Sequence, residues 1–542
     1  MHRSMLITSL AFLLAGTPLL LGQAPTRPPR PASDLFRTSD GCQSCHNQLT
    51  GPGGEDVSIG TEWRASIMAN ASRDPYWHGA VRREILDHPD AQAQIEHECS
   101  ICHMPMTNYA ARVAGGRGSV FAHLPIGSGQ TPDNLLAADG VSCTVCHQVM
   151  PEKLGTRDSF TGGYVVDAAV PYGQRAVYGP FDVKPGMAAL MRSSAEFTPT
   201  RADHLNTSEM CATCHTLYTH ALGKNGEVIG ELPEQVPYLE WRHSAFAGQR
   251  TCQSCHMPTV KGPLSISSTL GEMRPSLSRH EFRGANFFTP RLLNRYAAYL
   301  GVAALPQELD AASRRAADYL VTEAATLAVG PIEIADGRLK TEVVVENLGG
   351  HKLPTAYPSR RAWLHLTVRD EGGRMVFESG ALETSGAIRG NDNDADPLRY
   401  EPHYREITAG GEVQIYEAIM ADQAGAVTTG LLKGVRYLKD NRILPRGFDK
   451  ATAVPDIAVR GPASADEDFQ GGSDRVRLAV DLGGAQGPFT VEAELWYQPV
   501  GFRWARNLET YQAPEPQRFV RMYDGTAGAS AVMLARVRVS GR

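Results

Sequence analysis

Every cysteine in this chain belongs to a C-x-x-C-H pentapeptide. The five are Cys42-Gln43-Ser44-Cys45-His46, Cys99-Ser100-Ile101-Cys102-His103, Cys143-Thr144-Val145-Cys146-His147, Cys211-Ala212-Thr213-Cys214-His215 and Cys252-Gln253-Ser254-Cys255-His256. Ten cysteines fill five motifs and none is left over. This spacing is the attachment sequence of c-type haem. Two thiols form thioethers to the porphyrin, and the adjacent histidine supplies an axial nitrogen to iron. Structural zinc pairs its C-x-x-C knuckles, and five half-sites cannot pair evenly. Thioredoxin-like chemistry uses a single motif on a βαβ unit. A disulfide framework gives no reason for a histidine after every second cysteine. The expectation is five covalently bound haem c groups, with His46, His103, His147, His215 and His256 as proximal ligands.

The remaining histidines supply candidates for the opposite axial position. His97 lies two residues before Cys99 and can reach a neighbouring haem, although it also reads as a surface residue in the run Glu96-His97-Glu98. His204 precedes Cys211 by seven residues. His123 follows a Gly-rich turn between the second and third motifs. His243 lies inside a tryptophan-containing element described below. His280 sits past the last motif, where the chain can fold back over the haems. His351, in Asn347-Leu348-Gly349-Gly350-His351-Lys352-Leu353-Pro354-Thr355, can swing over a haem, and Arg360 and Arg361 can pair with propionates. His78, His88 and His220 stand in polar or turn-like contexts, His365 on the polar side of a strand, and His403 has no evident partner. Met68 is a thioether candidate, although methionine more often fills a core. A haem with two histidines transfers electrons, whereas an open position can bind a small molecule.

The segments around these residues imply an exported protein. A basic start, an apolar run from Met5 to Leu21 and small residues at Gly22-Gln23-Ala24 have the layout of a signal peptide over 1–24. The run is short for a membrane span, and Thr17-Pro18 interrupts it. Residues 25–37 read as a linker. Haem c is attached on the exported side of a membrane, so a periplasmic or extracellular location is expected, with no transmembrane segment in the mature chain. A net charge of -6 argues against nucleic acid as a partner. Redox proteins are the expected partners. Oligomeric state is open.

All the motifs precede residue 257, so a haem domain over 38–285 is expected. From Cys42 to His256 there are 215 residues, or 43 per motif. That is too few to build an ordinary apolar core and also wrap five macrocycles, so short helices and loops should surround haems that themselves form the core. The sequence also repeats. Glu62-Trp63-Arg64-Ala65-Ser66-Ile67-Met68-Ala69 aligns with Glu240-Trp241-Arg242-His243-Ser244-Ala245-Phe246-Ala247, and Cys-x-x-Cys-His-Met-Pro occurs twice, ending at Pro105 and Pro258.

C-x-x-C-H followed by W-x-x-S-x-x-A and further haem motifs resembles the cytochrome c-552/554-type multihaem cytochromes. The resemblance covers roughly residues 38–285. It implies a distal histidine two residues after the serine, where this chain has Met68 and Phe246.

Residues 286–329 have helical spacing, as at Leu292, Leu293, Tyr296 and Leu300, and Pro306 starts a second helix. From 330 to 542 the period changes to two. Strands are expected at Leu339–Val345, Trp363–Arg369, Met375–Phe377, Val413–Ile419, Val476–Val480, Phe489–Tyr497 and Ala531–Val539, with a hairpin turn at Asp370-Glu371-Gly372-Gly373. The expected fold is therefore mixed: a haem-packed domain followed by an antiparallel β-sandwich. Asn391-Asp392-Asn393-Asp394-Ala395-Asp396 has alternating acids but lacks the glycine and final glutamate of an EF-hand, and reads as a solvated turn. The functional expectation is electron transfer through closely packed haems. The alternative is an oxidoreductase with one open haem, acting on a small nitrogen or sulfur compound.

Overall fold

Short helices carry the cysteine motifs. In the computed structural model, which describes residues 34–171 and 173–541, they are Asp40–Gln43, Gln92–His103, Cys143–Cys146, Ser208–His215 and Cys252–His256. A helical turn puts the two cysteines of a motif, three apart, on one face. The signal-peptide expectation and residues 25–33 of the linker lie outside the described residues. Among the described residues no helix is long and apolar enough to cross a membrane.

The first half is not built of helices and loops alone. Three two-stranded sheets join them: Ala176–Gly179 with Thr198–Arg201, Leu217–Leu222 with Val228–Gln235, and Thr259–Ser265 with Met273–Ser278. Their strands are short and lack a long alternating run, which hid them from a reading based on period. Apolar side chains here fall into three small clusters, around Tyr109, Ile95 and Val57.

Phe288–Arg295 and Pro306–Glu323 are the two main helices that the spacing of residues 286–329 implies, and Pro306 stands at the start of the second. The second half then holds two five-stranded sheets. One is ordered Met375–Ser379, Arg361–Arg369, Phe489–Gln498 and Val532–Gly541, with Ile415–Tyr416 on Arg361–Arg369. The other is ordered Glu406–Ile407, Ser473–Asp481, Arg338–Asn347 and Ala325–Val329, with Glu333–Ala335 added. The pairing is not wholly antiparallel, because Glu406 and Ile407 run parallel to Arg477 and Leu478. A further three-stranded sheet uses Val427–Thr428, Ala418–Ala421 and Arg436–Asp440. The stretch Val413–Ile419 is therefore two short strands in different sheets.

One apolar core joins the two halves. It contains Leu364, Leu366, Val368, Val343, Leu478 and Val491 from the sheets, and also Tyr76, Phe160, Ala212 and Tyr238 from the motif-bearing part. Helix Pro75–Asp87 begins on an Asp74 cap, whose carboxylate accepts from the Tyr76 and Trp77 amides. It meets helix Pro514–Asp524 through Arg82–Glu515 and through Tyr76 against Phe519.

Two sequence expectations are corrected here. Asn391–Asp396 is not a solvated turn. Asp392–Ala395 is a helical turn, and buried Asp394 holds Arg361 through two bonds of 2.7 and 2.9 Å. Arg361 is thus committed to Asp394 and is not free for a propionate.

Candidate haem centres

Remote backbone carbonyls hold four of the five motif histidines in one ring orientation. His46 Nδ1 donates to Ile266 O at 2.6 Å, His103 to Ala71 O at 2.8 Å, His147 to Tyr178 O at 2.6 Å and His256 to Arg283 O at 2.5 Å. A carbonyl can only accept, so the proton sits on Nδ1 and the Nε2 lone pair is free. That is the tautomer and second-shell bond expected of a metal-bound imidazole. Burial holds His103 and His256 at about 4 and also lowers His147. These three are neutral at ordinary pH, as ligation requires.

Two of these imidazoles face a second one. The His147 and His280 ring centroids are 6.4 Å apart with planes 16° from parallel, and those of His256 and His351 are 6.2 Å apart at 17°. Metal–imidazole bonds of about 2 Å and ring radii of about 1.1 Å give a spacing of about 6.2 Å across one iron. His280 Nδ1 donates to Ser278 O and His351 Nδ1 to Lys352 O, both at 3.0 Å, which leaves both Nε2 atoms free. Burial, with His147 close by, pulls His280 down to about 3. The haem group thus fits these pairs on tautomer and spacing.

The other four distal candidates stand differently. His97 Nδ1 accepts the Gly118 amide at 3.0 Å, which puts its proton on Nε2. His204 Nε2 donates to Val149 O at 2.8 Å and His243 Nε2 to Asp449 O at 3.1 Å. His123 bonds Asn134 through Nδ1 and Ser119 through Nε2. In this arrangement none of the four offers a free Nε2 opposite a motif histidine. His78 bonds Ser72 O and Arg518, and His365 lies between Glu494 and Glu378. Among the described residues His46, His103 and His215 have no imidazole opposed in the way His280 and His351 are.

His88 stands at the end of helix Pro75–Asp87. It is buried, and its Nε2 has no hydrogen-bond partner. A buried ring nitrogen without a partner is costly unless something else bonds it. Only three-dimensional packing reveals this, because Asp87-His88-Pro89 reads as a helix end.

The motifs are close to one another. All ten cysteines are free thiols, yet thiols of different motifs are near neighbours: Cys42 with Cys143, Cys211 with Cys252, and Cys102 with Cys214. These pairs link the first motif to the third, the second to the fourth, and the fourth to the fifth. The segment Arg279–Arg283 serves two motifs at once. His280 faces His147, while Arg283 orients His256 through its carbonyl and donates from Nε to Cys255 O at 2.8 Å.

One further buried group, His403 with Asp466 and Asp474, has the spacing of a metal site. Its tautomer argues otherwise. His403 Nδ1 accepts amide hydrogens from Gln414 and Asn441, whose oxygens are taken by the Tyr404 and Glu417 amides. The proton is therefore on Nε2, directed to Asp466 at 3.1 Å.

The fold has a solved counterpart. The chain is similar to the crystal structure of a penta-heme cytochrome c552 from Thermochromatium tepidum, with a TM-score of 0.50 and 16% sequence identity, over 93% of this chain and 99% of that one. At that identity the likeness is one of fold. No family model and no curated protein matches the sequence.

Proposed function

We propose that this chain is an exported pentahaem c-type cytochrome that passes electrons along closely packed haems. The observation that carries the reading is the set of five C-x-x-C-H motifs, two of whose histidines face a second imidazole at 6.2 and 6.4 Å. Haem c would be attached at Cys42 and Cys45, Cys99 and Cys102, Cys143 and Cys146, Cys211 and Cys214, and Cys252 and Cys255. The similar solved structure is itself a penta-heme cytochrome. When bound, the haems would supply one-electron chemistry. The chain's own part is to hold neutral imidazoles in line, exclude water and keep neighbouring motifs close together. The nearness of thiols of different motifs favours rapid transfer over isolated centres. The two five-stranded sheets would form the layers of a sandwich that covers one side of the haem cluster and lends it His351.

A second reading, an oxidoreductase with one open haem, rests on the motif histidines that lack an opposed imidazole. EPR of the oxidised protein separates the two. Low-spin haems that are indifferent to nitrite and hydroxylamine support electron transfer. A high-spin ferric signal that changes with either compound supports catalysis.

A further inference from the structure

The two copies of the Glu-Trp element do the same two things in space. In each, the indole N–H donates to the carbonyl two residues before a cysteine motif. Trp63 Nε1 reaches Val141 O at 3.0 Å, ahead of Cys143, and Trp241 Nε1 reaches Arg250 O at 2.9 Å, ahead of Cys252. In each, the buried carboxylate takes a backbone N–H from the segment bearing the opposing imidazole. Glu62 Oε2 accepts from the His280 amide at 2.8 Å, and Glu240 Oε2 from the Lys352 amide, next to His351, at 3.1 Å. The turn that follows is also shared: the Ser66 amide donates to Trp63 O at 2.8 Å and the Ser244 amide to Trp241 O at 3.0 Å.

The partners then match. His280 faces His147 of the motif that Trp63 holds, and His351 faces His256 of the motif that Trp241 holds. One element therefore grips both sides of one imidazole pair, and it does so twice. Bulk packing gives no reason for this coincidence, because the two distal segments differ in sequence, strand context and distance along the chain.

We propose that each Glu-Trp element is a bracket that sets the separation of the two axial histidines of one haem, with Glu62 and Glu240 as positioning residues. The proposal rests on the reading of these pairs as haem ligands. A side-chain carboxyl suits the task because its two oxygens can accept hydrogen bonds from two segments at once. Glu62 receives Arg279 Nε at 2.6 Å, and Arg442 Nη1 lies 3.0 Å from Glu240 Oε1. Glu240 also accepts the Thr355 hydroxyl at 2.5 Å, which pins the far end of the His351 loop.

The test uses the full-length, haem-loaded protein, with low-temperature EPR and a haem count by mass. Glu62→Ala should raise a high-spin ferric signal amounting to at most one haem in five, of the same kind that His280→Ala produces. Glu62→Gln keeps an acceptor oxygen and should restore most of the low-spin signal. Glu240→Ala should reproduce the His351→Ala signal and leave the other haem alone. A Glu62→Ala spectrum identical to wild type, or one changed equally at all haems with five still attached, would overturn the bracket. Should Glu62→Ala fail to load haem, Trp63→Phe, which removes only the indole donor, takes its place, and an unchanged spectrum there overturns the proposal. If His280→Ala itself leaves every haem low-spin, the ligand reading fails and the bracket with it. If His280→Ala acts and Glu62→Ala does not, the bracket alone fails.

Discussion

His351 faces His256 at 6.2 Å with the two rings 17° from parallel, although one sits on a loop between strands of the second half and the other in the last cysteine motif of the first. The pair ties the sheet-rich part of the chain to the motif-bearing part through a would-be iron. His351→Ala should leave five haems attached and convert one of them to high-spin, with its reduction potential raised and the other four nearly unmoved. Redox titration followed at visible wavelengths checks this. Five unchanged potentials would mean that the facing rings do not share a metal.

The loop that carries His351 depends on a small residue. A Cβ on Gly350 would lie 3.3 Å from Trp241 Cδ1 and 3.4 Å from Phe246 Cβ. Gly350→Ala should therefore push the loop off the Trp241 element and cost about 1–3 kcal/mol, a typical overpacking penalty. Thermal unfolding should show a lowered Tm, together with partial high-spin character at the haem that His351→Ala affects. A loss of stability with no spectral change would separate the loop from the ligand.

Among the described residues, His88 is a buried imidazole outside the motifs whose Nε2 has no hydrogen-bond partner. If it is a third distal ligand, His88→Ala should produce a high-spin signal distinct from those of the His280 and His351 variants. Spectra that match the wild type would make His88 an unpaired core residue.

A pH dependence is built into the second half. Burial, with Asp466 close by, pushes Asp474 up to about 7, against about 3.9 for an unperturbed aspartate. Its Oδ1 has no hydrogen-bond partner, so the folded state favours the protonated acid. A raised carboxyl contributes its stability fully below about pH 4 and loses it as pH rises towards 7, by at most about 4 kcal/mol. Asp474→Asn should remove that loss. The variant should melt above wild type at pH 8, and the two should converge below pH 4. Parallel curves across the range would contradict the assignment.

Local spacing made much of this molecule legible. The five C-x-x-C-H motifs, the helices around Leu292 and Pro306, and the strands at Trp363–Arg369 and Phe489–Tyr497 follow from motif and period alone. Distal ligands do not, because they depend on which nitrogen of a ring is already bonded. His97 and His280 look alike in sequence, yet a Gly118 amide takes the Nδ1 lone pair of one while a Ser278 carbonyl frees the Nε2 of the other. Buried charge was equally hidden. Asp394 lies in a run of acids that reads as solvated, and only the fold brings Arg361 to it. The short sheets of the first half escaped because four to eight residues carry too little alternation to separate strand from loop.

The most direct test is the intact mass of the mature protein. Five motifs with free thiols, four of them with carbonyl-oriented histidines, predict the mass of the polypeptide plus five covalently bound haems, retained after denaturation. A polypeptide carrying no haem, or carrying zinc in its place, would contradict the reading.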